Sequence, residues 1–382
     1  MKTIITTVGT SIFTNLTKDN KNPEIKQRFN LLNEPKQHSF SMWDEFKKRV
    51  IDDSGRRQGL RTLVENAIEN DHKASAEIES ILKIAKDEKV NIHLLATDTI
   101  LSVLAAEIVA KWFEGKQNVT FNASYKQDVI EGLRVENLID FKKGLRNLVE
   151  RFYKIYNANP NPKDYILNIT GGYKGIIPFM TLLGQITKID LNYKFEETGS
   201  LIEIPRLPIK RDDDIFDEYF DVFKEIEEEV EIDGNKHYSF IQRAESCLET
   251  YNHGQTYTLN ALGLLFWEAY KKEYFNFYCP DKVCSELNKQ EKTIHFFKQT
   301  FIEEEQREKY NVCEQSHKTV CKKFSDVIRV YWFEDNSKIF VYKTFDDHDK
   351  HERYINSVNF TEDLKQEIIK NSKLRKIKIN HV

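Results

Sequence analysis

The fold is decided by one stretch of the sequence, Asp164-Tyr165-Ile166-Leu167-Asn168-Ile169-Thr170-Gly171-Gly172-Tyr173-Lys174-Gly175-Ile176-Ile177-Pro178. An apolar strand runs directly into a Thr-Gly-Gly turn, and the turn opens a helix. Glycines at the end of a strand let the backbone approach a ligand closely, and the N–H groups that follow point at an anion bound there. Lys174 adds a positive charge at the mouth. The stretch therefore predicts a phosphate-binding turn.

The N-terminus repeats this design. A short strand rich in β-branched residues ends at Gly9, and the hydroxyl residues Thr10 and Ser11 can cap a helix or bond a phosphate oxygen. Two such turns in one α/β sheet line a crevice at the carboxyl ends of its strands. Neither turn matches the dinucleotide-binding or the Walker lysine pattern, so a purely structural role for each turn stays open.

Composition narrows the class of protein. The chain has 382 residues, of which 31% are charged, and a formal net charge of −4. This length predicts more than one domain, and an RNA site would have to come from local clustering of positive charge. No apolar run approaches the ~18 residues of a membrane span, and no signal-peptide pattern is present. We expect a cytoplasmic protein with no membrane partner.

The cysteines indicate neither a disulfide framework nor a metal site. All five lie in the second half of the chain, at Cys247, Cys279, Cys284, Cys313 and Cys321. With His295 and His317 nearby a metal site is conceivable, but the spacings match no common zinc pattern. Reduced cysteines that simply pack are the better interpretation. We therefore expect no metal and no cofactor.

Residues 1 to about 205 alternate strands with helices. Strands are predicted at Lys2–Val8, Val90–Ala96, Val119–Asn122 and Tyr165–Ile169. Helices are predicted at Ser75–Lys86, Thr99–Glu114 and Leu138–Tyr156, with Asp98 or Thr99 capping the second. Long helical crossovers between strands predict an α/β fold with a Rossmann-like, doubly wound, mostly parallel sheet. An antiparallel hairpin, Leu191–Glu196 with Leu201–Ile204, is added at one edge.

The second half is predicted to have a different organisation. Residues 211–274 form a helical connector that begins with an acidic amphipathic helix over 212–231. Residues 256–266 within it are either a winged-helix remnant or a linker module. Residues 275–382 form a small α+β domain, with strands Val327–Phe333 and Lys338–Phe345 and helices near 349–356 and 361–370. The predicted domains are thus 1–210, 211–274 and 275–382.

Five segments in order resemble the CRISPR-associated Rossmann-fold sensor domains, called CARF: 6–11, 94–99, 129–135, 168–175 and 204–209. The resemblance implies a homodimer that binds one cyclic oligoadenylate across its two-fold axis. The expected activator is cyclic tetra-adenylate. The implied ligand-binding residues are Gly9, Thr10, Ser11, Thr97, Asp98, Thr170, Gly171, Gly172, Tyr173 and Lys174. Some such sensors cut their own ring. The turns hold no obvious general base for that reaction, although Lys174 could stabilise developing charge.

The C-terminal part lacks the patterns of two effector classes. No arginine has a histidine five positions later, which excludes the commonest attached ribonuclease. A metal-dependent DNase needs a second carboxylate after an acid such as Asp335, but the strand there reads Val341-Tyr342-Lys343.

Residues 318–358 resemble the RelE and HigB toxins, which are ribonucleases that cut messenger RNA on the ribosome. The resemblance implies that Arg329, with Lys322 and Lys323, bears phosphate charge and that Tyr354 orients or activates the 2′-hydroxyl. His348 or His351 could be the acid or base near neutral pH. The family often has arginines where this chain has these histidines, so the acid stays unassigned. The basic stretch 373–378 fits ribosomal RNA or a solvated end.

Together these patterns predict an ancillary antiviral effector of a type III CRISPR system. The expected activity is a metal-independent, ribosome-dependent mRNA endoribonuclease that cyclic oligoadenylate activates, with mRNA and the ribosome as partners. Two alternatives stay open. One is a non-catalytic, ligand-responsive regulator that binds DNA or protein, and the other is a ring nuclease that degrades cyclic tetra-adenylate.

Overall fold

The computed structural model describes residues 1–34, 36–53, 55, 57–134, 137–195, 198–208, 211–289, 291–314, 316–321 and 328–379. The chain divides into two compact units, Met1–Ala269 (unit 1) and Tyr270–Val382 (unit 2). In the described part, none of the helices combines the length and the apolar character needed to cross a bilayer. The predicted division into three domains stays a prediction.

Unit 1 contains a seven-stranded sheet. Its strands are β1 (Thr3–Val8), β2 (Asn91–Thr97), β3 (Asn118–Thr120), β4 (Val129–Ile130), β5 (Tyr165–Asn168), β6 (Asp190–Lys194) and β7 (Leu201–Ile204). The order is β3-β2-β1-β5-β6-β7, with β4 also paired to β2. Every pairing is parallel except that of β6 with β7. The predicted Rossmann-like, mostly parallel sheet is confirmed.

Helices cover both faces of this sheet. They are α1 (Ser11–Thr17), α2 (Pro23–Asn33), α3 (Trp43–Phe46), α4 (Leu60–Asn70), α5 (Ala76–Ala85), α6 (Ile100–Phe113), α7 (Leu138–Tyr156) and α8 (Ile177–Thr187). Alternate side chains of β1 enter opposite cores. Ile4 and Val8 pack in the cluster that includes α1, α2, α4 and α6, whereas Ile5 packs in the cluster of α7 and α8. The result is a three-layer arrangement.

The strand order places a binding crevice at a definite position. From β1 the chain moves outward through β2 and β3 on one side, and then returns to β5 and β6 on the other. Ligands of open α/β sheets bind at the carboxyl ends of the strands where the order reverses. In this sheet that position lies between the ends of β1 and β5.

The remainder of unit 1 is more varied than a helical connector. It contains α9 (Asp214–Glu218), α10 (Phe220–Glu229), β8 (Ile232–Asp233), α11 (Tyr238–Ala244), β9 (Leu248–Tyr251), β10 (Thr256–Leu259) and α12 (Ala261–Glu273), within which the boundary between the units falls. The acidic stretch buries its apolar face, with Phe216 and Phe223 stacked on Trp267. The antiparallel sheet β8-β10-β9 was not predicted, because strands of two to four residues show too little alternation.

Within its described residues, unit 2 contains a six-stranded sheet, five α-helices and a π-helical turn over Phe297–Phe301. The elements are β11 (Tyr274–Pro280), α13 (Asp281–Lys289), α14 (Glu291–Phe296), α15 (Glu304–Lys309), β12 (Asn311–Glu314), β13 (His317–Val320), β14 (Arg329–Asp335), β15 (Lys338–Phe345), α16 (His348–Ser357), α17 (Glu362–Asn371) and β16 (Ser372–Lys378). The strand order is β12-β13-β14-β15-β11-β16. The predicted hairpin corresponds to β14 and β15. The basic stretch 373–378 forms β16 and pairs with β11.

Candidate ligand-binding pocket and effector residues

A pocket of about 240 Å³ lies at the predicted crevice. Its described lining comprises Gly9, Thr10, Gln37, Thr97, Thr99, Leu133, Arg134, Gly172, Tyr173 and Lys174. Two of these residues are cations and none is a carboxylate. The described lining therefore contains two cationic side chains that an anionic ligand could contact.

The two glycine turns touch each other at this pocket. A Cβ atom on Gly9 would lie 2.8 Å from the backbone nitrogen of Gly172. Gly172 itself has a φ of +90°, and a Cβ there would lie 2.8 Å from Oγ1 of Thr7. Only glycine fits both positions without displacement of the neighbouring backbone or side chain. The two sequence motifs thus form one wall of the pocket.

Ser11 lies in the first turn but does not line the pocket. Its hydroxyl donates a hydrogen bond to Oε2 of Glu77 at 2.9 Å and accepts one from the Ala76 N–H at 3.2 Å. Both roles of the hydroxyl are therefore used inside the protein. Glu77 was missed in the sequence because a glutamate in the first turn of a helix is ordinary complementation of the helix dipole.

Thr170 and Gly171 lie behind the second turn. Oγ1 of Thr170 accepts a hydrogen bond from the Lys194 N–H at 2.8 Å, which ties the turn to β6. The Gly171 carbonyl accepts one from the Thr7 hydroxyl at 2.7 Å, which ties it to β1. Neither residue is among those that line the pocket. Their bonds hold Gly172 and the residues after it in place.

Asp98 also has an internal role in this structure. Its side chain is 6% exposed and accepts hydrogen bonds from the Ser39 hydroxyl, the Tyr125 hydroxyl and the Gly132 N–H at 3.2, 2.9 and 3.1 Å. Burial, together with this carboxylate, raises the pKa of Tyr125. Thr99, and not Asp98, caps α6 by accepting from the Ser102 N–H. Asp98 joins three loops around the pocket without lining it.

Four lining residues were not predicted as ligand contacts: Gln37, Thr99, Leu133 and Arg134. Arg134 falls in a segment that carried the CARF resemblance, and this position could have marked it. Gln37 lies between α2 and α3, in a stretch with no motif. Tertiary structure alone brings Gln37 to the pocket.

A larger groove of about 810 Å³ lies elsewhere in unit 1. Its lining is mainly apolar and includes Ile139 and Leu145 of α7, Phe179 of α8 and Leu248 of β9. Glu249, a lining carboxylate, forms an ion pair with Arg146. The groove contains neither glycine turn, so it is not the predicted phosphate site.

The predicted catalytic residues of unit 2 differ in exposure. Arg329 and His351 are 2% and 3% exposed. His348 is exposed, and its Nε2 lies 3.2 Å from Oε1 of Glu352. Tyr354 is half-buried. Lys322 and Lys323 lie outside the described residues.

An aromatic cluster packs around His351. The rings of His351 and Tyr354 lie 5.9 and 5.5 Å from that of Tyr331, and Phe345 contacts both. Arg329 lies two residues before Tyr331 on β14, which places it on the same face of the sheet. Burial raises the pKa of Tyr354, so its hydroxyl is protonated at neutral pH. Tyr354 can therefore donate a hydrogen bond but is a poor base.

No metal-binding cluster of three His, Cys, Asp or Glu side chains occurs in the described ranges. Cys279 and Cys321 are buried, whereas Cys313 is exposed. Burial is also the main reason why the pKa of Cys279 is raised, with neighbouring Cys284 contributing. The Cys279 thiol is therefore protonated at neutral pH.

Comparison with known proteins relates part of the chain to a CRISPR-associated family. Residues 72–207, just over a third of the chain, match the model of a CRISPR-associated protein family, Cas_APE2256. The matched range contains Thr97, Arg134 and the second glycine turn, whereas Gly9 and Gln37 lie outside it. No curated protein matches the sequence. The match supports a CRISPR association for this part of the chain.

Proposed function

We propose that unit 1 is a sensor for cyclic oligoadenylate, with cyclic tetra-adenylate as its ring, and that the protein is an ancillary antiviral effector of a type III CRISPR system. The observation that carries this proposal is the contact between the two glycine turns at the point where the strand order reverses. The CRISPR-associated family match over residues 72–207 supports it.

The lining of the pocket suits an adenine nucleotide. Lys174 and Arg134 supply positive charge for phosphate groups. Tyr173 is 45% exposed and offers a ring face for stacking. The amide of Gln37 can donate to N7 and accept from N6 of adenine, a pair of contacts that guanine cannot satisfy. Together these groups match the phosphates, the face of the adenine base and its hydrogen-bonding edge.

Exposed apolar side chains at the start of α7 support a homodimer. Leu138 and Ile139 at the start of α7 are 68% and 75% exposed. On the same helix, Phe141 contacts the ring of Tyr173 in the pocket wall. An exposed apolar patch beside a binding site is typical of an interface, and a two-fold axis presents it twice. A ring with equivalent halves can then contact both subunits in the same way.

For unit 2 we propose a metal-independent mRNA endoribonuclease that acts on the ribosome. Its exposed candidate for acid or base is His348, which Glu352 can orient through their 3.2 Å contact. Tyr354, protonated and half-buried on the same helix, would orient the 2′-hydroxyl. Arg329 and His351 would support these groups from the interior. Ring binding activates cleavage only if the ring favours the active arrangement.

The burial of Arg329 and His351 favours a second candidate, in which unit 2 binds a partner without catalysis. In that case unit 1 would still respond to the ring. The two candidates differ only in whether RNA is cut.

The test has two steps. Calorimetry with rings of three to six adenosines should show stoichiometric uptake of one ring per dimer, and absence of heat with every ring would overturn the sensor. Ring-dependent cleavage of mRNA should then appear when ribosomes are present. His348→Ala should lower the cleavage rate by about 100-fold while ring binding is unchanged. Ring binding without cleavage in the unsubstituted protein would favour the second candidate.

A further inference from the structure

Glu77 is a buried carboxylate directly beneath the two glycine turns. Its side chain belongs to the first turn of α5 and is 1% exposed. Oε1 accepts a hydrogen bond from the Gly9 N–H at 2.9 Å. Oε2 accepts from the hydroxyls of Ser11 and Ser75 at 2.9 and 3.0 Å. Three donors stabilise the charge, as a carboxylate in such a position requires.

The second turn rests on the same carboxylate. A Cβ atom on Gly171 would collide with Oε1 of Glu77 and with the Thr7 carbonyl. Gly171 is therefore a glycine because Glu77 and the Thr7 carbonyl together occupy the space where a side chain would go. Gly172, which follows it, lines the pocket and touches Gly9. A single side chain thus lies against both turns.

We propose that Glu77 is a positioning residue of the ring site and that it determines which groups of the first turn face the ligand. This inference rests on the proposed sensor function. The Gly9 N–H and the Ser11 hydroxyl, which would otherwise be phosphate donors, point inward at Glu77. Thr10, between them, remains at the pocket.

The position of the ligand phosphate follows from this arrangement. An anion next to the Gly9 N–H would compete with a carboxylate that is already bound there, and the two negative charges would repel each other. The phosphate is therefore directed to the side of Gly172, Lys174 and Arg134. Glu77 contacts no ligand atom in this arrangement, and it acts through the turns.

The experiment is calorimetry with cyclic tetra-adenylate on Glu77→Gln, which keeps the shape of the side chain but removes the acceptor that binds Ser11 and Ser75. We expect the affinity to fall at least about fivefold with unchanged stoichiometry. A merely structural defect would instead lower the number of competent sites. The matched control is Glu79→Gln on the same helix, whose carboxylate pairs with Lys83 and Lys194 and does not touch the turns. Its affinity should stay within about twofold.

Ser11→Ala, alone and combined with Glu77→Gln, separates positioning from direct contact. If Ser11 acts through Glu77, the double variant binds no more weakly than Glu77→Gln. If Ser11→Ala weakens binding equally in both backgrounds, Ser11 contacts the ligand and the proposal is wrong. If Glu77→Gln fails to fold, Ser75→Ala takes its place in the double-mutant cycle with Ser11→Ala. The substitution is equivalent because the Ser75 and Ser11 hydroxyls both donate to Oε2 of Glu77.

Two further outcomes separate a failure of this inference from a failure of the sensor function. Normal affinity of Glu77→Gln, with the unsubstituted protein binding the ring, overturns this inference alone. No binding by the unsubstituted protein overturns the sensor function, and this inference with it.

Discussion

The pocket of unit 1 and the aromatic cluster of unit 2 are both formed around residues that stood out in the sequence, but they are built differently. The pocket is made largely by backbone turns, whose glycines are required by contacts as close as 2.8 Å. The cluster is made by side chains that pack around His351, and Arg329 on β14 is also buried. A glycine motif reports backbone geometry directly. A motif of charged side chains does not report which of them reach the surface.

The sharpest test of this difference is Gly172→Ala. The added Cβ meets Thr7 Oγ1 at 2.8 Å in a residue with φ +90°, so the turn must move and ring affinity should fall by more than about 100-fold. Calorimetry measures this loss. Gly115→Ala is the matched control, because φ is +75° there but no atom lies within 4 Å of the new Cβ. Gly115→Ala should lower the free energy of unfolding by about 1 kcal/mol and leave ring affinity unchanged. Equal loss in both variants would show that strain alone matters.

In unit 2, the contrast between two histidines tests whether burial or exposure decides their roles. His351→Ala removes a ring packed against Tyr331 and Phe345, and it should lower the free energy of unfolding by about 2–4 kcal/mol. His348→Ala should change it by less than about 0.5 kcal/mol. Urea denaturation of each variant gives these values. Similar losses for both histidines would contradict the assigned interior position of His351.

Gln37 tests whether a residue without a motif contributes to recognition. Gln37→Leu should lower the affinity for cyclic tetra-adenylate by about tenfold, because a bidentate contact to adenine is lost. A ring of hypoxanthine nucleotides, which carries an oxygen in place of the N6 amine, should bind the unsubstituted protein more weakly. The leucine variant should bind both rings alike. Calorimetry that finds the same preference in both proteins would remove Gln37 from base recognition.

The smallest expected effect is a pH dependence of the free energy of unfolding that arises from His93 in unit 1. Burial lowers the pKa of His93, with Arg151 adding to this and Asp128 opposing it. Since the folded pKa lies below the ordinary value of about 6.5, the unfolded chain binds the proton first as the pH falls. The contribution of His93 is therefore full above about pH 6.5 and decreases below it.

His93→Gln should flatten this decrease in the free energy of unfolding, measured by urea denaturation between pH 7.5 and pH 5.5. An unchanged slope for His93→Gln would assign the pH dependence to other groups.

Local pattern was sufficient to predict the elements of the first sheet. The helix predicted at Leu138–Tyr156 has those bounds in the structure, and the predicted strands lie within a few residues of β1, β2, β3 and β5. These segments are long or strongly apolar, so periodicity identifies them. The short strands β8, β9 and β10 lacked that periodicity and were missed.

What the sequence by itself determined is the mostly parallel sheet and the two glycine turns, because strand periodicity and the need for glycine are local properties of the backbone. Only the tertiary structure decided that Gln37 and Arg134 line the pocket, that Ser11 and Asp98 serve internal bonds, and that Arg329 and His351 are buried. The physical reason is that side-chain exposure and hydrogen-bond partners depend on residues distant in sequence, such as Glu77 beneath Gly9.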